Sequence, residues 1–110
     1  MNEWTYVCRI NDIVPDTGVC AKVGDEQVAV FRVAGDALHA IGNIDPDSGA
    51  AVLARGLVGS IGERVVVASP IHKQHYDLRT GECLEMPQYA VPAWQVRRDG
   101  DAVLVHREAR

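Results

Sequence analysis

The feature that most constrains this chain is its punctuation. Short segments rich in β-branched and aromatic residues alternate with turns carrying glycine, proline or aspartate, and no segment keeps a helical period beyond one turn. Strands are predicted at 4–10, 19–23, 27–33, 37–41, 57–61, 64–68, 74–78, 93–98 and 102–106. The third, QVAVFRV, is apolar on both faces, as a strand in the middle of a fold is. Turns are predicted at Gly24-Asp25-Glu26, Ala34-Gly35-Asp36 and Gly62-Glu63. Arg79-Thr80-Gly81 should close a hairpin with the glycine at positive φ, and Asp99-Gly100 should join the last two strands. Trp94 and Val96 then face Val103 and Val105 across that ladder. The expected fold is an all-β antiparallel sandwich or small barrel, with residues 1–110 as one domain.

Two segments break the rhythm: 43–56, NIDPDSGAAVLARG, in which Ala50 to Ala54 allows one helical turn before Gly56, and 69–76, SPIHKQHY. In a β scaffold, irregular loops are where function sits. The composition narrows which functions. A net charge of −4 argues against a nucleic-acid partner and against an anionic membrane surface. The opening MNEWTYVCRI has an early acid and no apolar signal core, and no apolar run is long enough to span a bilayer. Cys8, Cys20 and Cys83 are scattered and odd in number, which suits reduced thiols in the cytoplasm better than a disulfide framework.

The loops hold potential ligands. Asn43, Asp45 and Asp47 lie in the first. Ser69, His72 and His75 lie in the second, with Cys83 beyond the next turn. A mononuclear zinc site from Asp45, His72, His75 and Cys83 is allowed by ligand type, but their spacing matches no closed zinc site. The plain alternatives are a hydrogen-bonded loop histidine at 72, a strand-face histidine at 75, and Asx-type turn bonds at Asp45 and Asp47. There is no G-x-S-x-G elbow, and no glycine-rich loop opens a helix to hold phosphate.

The second loop and its continuation, Ser69-Pro70-Ile71-His72 followed by His75-Tyr76-Asp77-Leu78-Arg79-Thr80-Gly81-Glu82, resemble the second ligand loop of Rieske-type proteins. That loop carries Cys-x-x-His, and a first loop carries Cys-x-His. Here Asn43-Ile44-Asp45 stands at the first pair and Ser69 replaces the second cysteine, so only His72 matches by type. Over nearly its whole length, including Trp4, "IVPDTGVCAKVGDEQVAVFRV", "IGNIDPDSGAAVLARGLVGSIGE" and "VVVASPIHKQHYDL", the chain resembles the small subunits of cytoplasmic NAD(P)H-dependent nitrite reductases. That resemblance implies a Rieske-like domain without its cluster and without catalytic residues of its own. It also implies a large-subunit partner that carries FAD, an iron–sulfur cluster and sirohaem and reduces nitrite to ammonium in nitrate assimilation. By the same layout, Asn43, Asp45, Pro46, Ser69, Pro70, His72 and Lys73 should form the end that once held metal or that meets the partner, with His72 bonded within it, to Asp45. Two other readings remain open at this point: a Rieske-type electron carrier with an atypical cluster, and a stand-alone β-sandwich binding module.

Overall fold

The computed structural model describes residues 3–110. Its strands are β1 (Trp4–Arg9), β2 (Thr17–Val23), β3 (Glu26–Val33), β4 (Ala37–Gly42), β5 (Leu57–Ile61), β6 (Arg64–Ala68), β7 (His75–Asp77), β8 (Ala93–Trp94), β9 (Val96–Asp99) and β10 (Ala102–His106). They form three antiparallel sheets in the orders β1-β10-β9, β2-β3-β4-β8 and β5-β6-β7. The helical content of the described residues is four three-residue 3-10 turns, so no helix is long and apolar enough to cross a membrane.

The two-faced apolarity of QVAVFRV sets the architecture. Along β3, Val28 and Val30 turn to one side and join Ile10, Ile13, Trp94, Val103 and Val105. Ala29, Phe31 and Val33 turn to the other and join Ile41, Leu53, Val67, Tyr76 and Leu78. The period-2 alternation of one strand therefore feeds two cores, one on each face of the four-stranded sheet. Phe31 and Tyr76 are fully buried, and each such side chain contributes about 1.5–3 kcal/mol relative to exposure.

The two-residue hairpin turns are Gly24-Asp25, Gly62-Glu63 and Gly100-Asp101. In each, the left-handed φ is confined to the glycine, which is the II′ pattern that matches strand twist. The last turn lies one residue beyond Asp99-Gly100. The predicted strand at 93–98 is divided at Gln95. β8 pairs with β4 (Ala40 opposite Trp94), while β9 pairs with β10 (Val96 opposite Val105). The Gln95 carbonyl between them accepts from the His106 N–H at 2.9 Å. One strand thus switches sheets and stitches the two layers. The helical turn expected within 50–54 is a 3-10 turn at Leu53–Arg55, because the carbonyl of Asn43 captures the N–H groups of Val52 and Leu53.

Two glycines position the loops. At Gly81 φ is +83°, and a Cβ would lie 2.0 Å from the Val91 carbonyl oxygen, so the turn after β7 admits no side chain. At Gly56 a Cβ would meet the Ala68 carbonyl at 2.3 Å, and its absence lets the end of the first loop lie against the base of the second.

Candidate functional site

The loops 43–56 and 69–74 meet at one end of the molecule through a buried polar clasp. Asp45 is fully buried and Ser69 nearly so. The Ser69 hydroxyl donates to Asp45 Oδ2 at 2.5 Å, and the Asp47 backbone N–H donates to Asp45 Oδ1 at 2.8 Å. The second contact is an Asx turn across Pro46, as the local sequence suggested. The Gln74 side-chain amide adds a longer contact to Oδ1, at 3.5 Å, and donates to the Tyr76 hydroxyl at 3.3 Å. Burial, reinforced by the nearby Asp45 carboxylate, pushes the Tyr76 phenol well above its ordinary range. Each loop is also closed on itself. The Asp45 N–H donates to the Ala50 carbonyl at 2.8 Å, and the Lys73 N–H to the Ser69 carbonyl at 3.0 Å.

Asn43 lies below this clasp and is turned away from it. Its Oδ1 accepts from the Ala54 N–H at 2.8 Å, and its Nδ2 reaches Cys20 Sγ and Gln27 Oε1 at 3.4 Å each. It fastens the first loop to β2 and β3. Of the seven residues expected at this end, Asn43, Asp45 and Ser69 are therefore interior, while Pro46, Pro70, His72 and Lys73 form its surface. Lys73 adopts a left-handed φ of 62°, a conformation that costs a non-glycine residue about 1–2 kcal/mol.

His72 pairs with Asp47 rather than with Asp45, whose two oxygens are engaged by the Ser69 hydroxyl and the Asp47 N–H. The hydrogen bond and charge of Asp47 raise the His72 pKa, and the reciprocal bond holds Asp47 below its usual range. His75 is on β7, where Glu85 accepts from its backbone N–H at 2.7 Å and meets its ring Nδ1 at 2.6 Å. That ten-residue pairing had no local signal in the sequence. Nor did Gln74, whose Oε1 is buried without a partner among the described residues.

A profile of the Rieske-like [2Fe-2S] domain matches residues 3–106. The small subunit of NADH nitrite reductase from Escherichia coli K12 is 46% identical over 102 residues, covering 91% of this chain and 94% of that one. The chain belongs to the nitrite reductase small-subunit family of Rieske-like domains. A crystal structure from Mycobacterium tuberculosis, described as the small subunit of an NADH-dependent nitrite reductase, superposes on this family member with a TM-score of 0.89 at 42% identity, covering 97% of this chain and 94% of that one. A Klebsiella oxytoca protein named as the large subunit of NAD(P)H nitrite reductase also matches, at 38% identity over 93% of this chain but only 11% of its own length.

A Rieske-like domain implies a 2Fe–2S cluster held by two thiolates and two imidazoles, and the donors of this family member do not fit one. The cysteine positions hold Asn43, which faces the sheet, and Ser69, whose hydroxyl is committed to Asp45. The first histidine position holds the buried Asp45, and His72 is engaged by Asp47. Cys8 and Cys20 lie on β1 and β2, and Cys83 is buried opposite Tyr76, so none of the three stands at a ligand position of the two loops; Cys20 Sγ instead meets the Asn43 amide from the sheet side. Among the described residues, no three His, Cys, Asp or Glu side chains converge as a metal site requires, which also leaves Asp45, His72, His75 and Cys83 without a shared centre.

Proposed function

We propose that this chain is a small subunit of a cytoplasmic NAD(P)H-dependent nitrite reductase. In this reading it holds no cofactor and supports a large subunit that carries FAD, an iron–sulfur cluster and sirohaem and reduces nitrite to ammonium in nitrate assimilation. The observation that carries the reading is 46% identity along 91% of the chain to the Escherichia coli small subunit. The Klebsiella oxytoca large subunit favours a direct partnership, since a segment matching almost the whole of this chain makes up part of that polypeptide.

The chemistry of the loop end supports a role without electron transfer. Where a Rieske protein would place thiolates, an Asp–Ser hydrogen bond ties the two loops, so their shape survives without metal. Pro46, Pro70, His72 and Lys73 then present a rigid docking end, while Asn43, Asp45 and Ser69 hold it in place. The experiment is association in solution. The chain mixed with the large subunit should elute with it on size exclusion. Separate elution at micromolar concentrations of both would refute the partnership.

A further inference from the structure

The free edges of the three sheets differ. β1 carries a register shift between Tyr6 and Cys8, β9 reads Val-Arg-Arg-Asp, and β8 has two residues. The outer side of β7 is covered by the chain at 82–84, where the Asp77 N–H donates to the Glu82 carbonyl at 2.8 Å and the Leu84 N–H to the His75 carbonyl at 2.9 Å. β2 bears Lys22 and packs against the turn at Leu53–Arg55. These are the devices that keep edges from pairing with other chains. β5, Leu-Val-Gly-Ser-Ile, has none of them. It is uncharged, lacks proline and runs in unbroken register with β6.

The outward hydrogen-bonding groups of β5 can be assigned. The Gly62-Glu63 turn is closed by Ile61 opposite Arg64, so Ile61, Gly59 and Leu57 exchange bonds with β6. In agreement, the carbonyl of Val65, the next residue along β6, turns the other way and accepts from the Leu78 N–H at 2.9 Å. The N–H and C=O groups of Val58 and Ser60 therefore point out of the sheet, and no backbone group among the described residues bonds them. A Cβ built on Gly59 would meet nothing within 4 Å, and Leu57 is 80% exposed.

This edge borders a groove of about 400 Å³ whose lining includes Val33, Ala37, Val58 and Val65, with Asp16 and His39 also on its wall. At its Leu57 end a second groove of about 450 Å³, lined by Leu57, Ala68 and Pro70, is flanked by Arg55 and Lys73. Neither cation has an ion-pair partner among the described residues, in a chain whose net charge is −4. Lys73 keeps its cation in a backbone conformation that suits glycine better.

We propose that an extended segment of the large subunit adds to β5 as an extra strand. Its backbone pairs with the N–H and C=O of Val58 and Ser60, an apolar side chain enters the groove beside Val33 and Ala37, and a carboxylate at the Leu57 end meets Arg55 and Lys73. Main-chain pairing supplies affinity and the alternate side chains supply selectivity. This rests on the reading of the large subunit as partner, and it extends the docking end from the loops along the sheet edge.

The test is residue-resolved amide hydrogen exchange of the chain, free and bound to the large subunit. The Val58 and Ser60 amides should exchange readily in the free chain and slow by roughly tenfold or more in the complex. Ser60→Pro removes an outward donor and no bond to β6, so it should fold. It should weaken association by roughly tenfold, while Ser60→Ala does not. Arg55→Glu and Lys73→Glu should each weaken it as well. A complex in which the exchange of Val58 and Ser60 is unchanged overturns strand addition and leaves the partnership standing. Failure to form any complex overturns the partnership and this proposal with it. Protection of the same amides in a concentration-dependent dimer of the chain alone assigns the edge to a second copy and also overturns it.

Discussion

Replacing Ser69 by alanine should reveal how the loop end keeps its shape without metal. Among the described residues, Oδ2 of the buried Asp45 has one hydrogen-bond donor, the Ser69 hydroxyl at 2.5 Å. Oδ1 keeps the Asp47 N–H at 2.8 Å, and the Gln74 amide at 3.5 Å is too long to compensate. Ser69→Ala therefore leaves one oxygen of a buried carboxylate unsatisfied. Loss of a charge-assisted bond at such a site costs about 2–3 kcal/mol. In a domain of about this size, that corresponds to a fall in Tm of roughly 10–15 °C. Asp45→Asn keeps the shape and removes the buried charge, so it should cost less than Ser69→Ala. In the double variant the two effects should be clearly non-additive, because both substitutions act on the same contact. The assay is urea and thermal unfolding of the four proteins followed by circular dichroism. Ser69→Ala within about 0.5 kcal/mol of the parent, a change typical of the surface, would refute the clasp as the element that holds the loops.

Other outcomes follow from neighbouring residues. His72 has a folded pKa raised above 6.5 by Asp47, so its contribution is complete below pH 6.5 and is lost as pH rises through the raised value. Asp47 has a pKa lowered from 3.8, so its contribution is present above pH 3.8 and fades as pH falls through the lowered value. Thermal unfolding across pH should show both losses, and His72→Ala should abolish the upper one and shrink the lower, since one bond shifts both groups. Gly81→Ala places a Cβ 2.0 Å from the Val91 carbonyl at a φ of +83° and should destabilise by about 3 kcal/mol or more, measured by urea unfolding. Lys73→Gly should hold or raise stability by about 1 kcal/mol, since it relieves a left-handed φ, yet weaken association with the large subunit in a titration. The reversal Asp45→Lys would report on folding rather than docking, because Asp45 is fully buried.

The strand rhythm and the two-faced β3 were legible because alternation is a local signal and burial follows from it. The Asx turn at Asp45 was legible for the same reason, since the accepting aspartate, the proline and the donor N–H lie within three residues. What sequence could not show was long-range choice. Asp45 and Ser69 are twenty-four positions apart, and nothing local told which acid His72 would meet. The division at Gln95 was hidden because 93–98 reads as one strand, and only the competition between β4 and β10 for its two halves separates it. The expected end set mixed surface with interior, because Asn43 and Asp45 are polar and polar residues in loops are ordinarily exposed. The open edge of β5 did have a signal, an uncharged LVGSI following Arg55-Gly56. Its meaning emerged only once β5 was placed at the border of its sheet.

The central claim, a partner subunit that acts without a cofactor of its own, is tested most directly by titrating the chain into a fixed amount of large subunit while following nitrite-dependent NAD(P)H oxidation. The chain used should be assayed for iron in the same preparation. Turnover that rises and saturates at a fixed ratio, with far less than one iron per chain, is the predicted result. Turnover unaffected by the chain, or restored only by preparations carrying about two irons per chain, would contradict it.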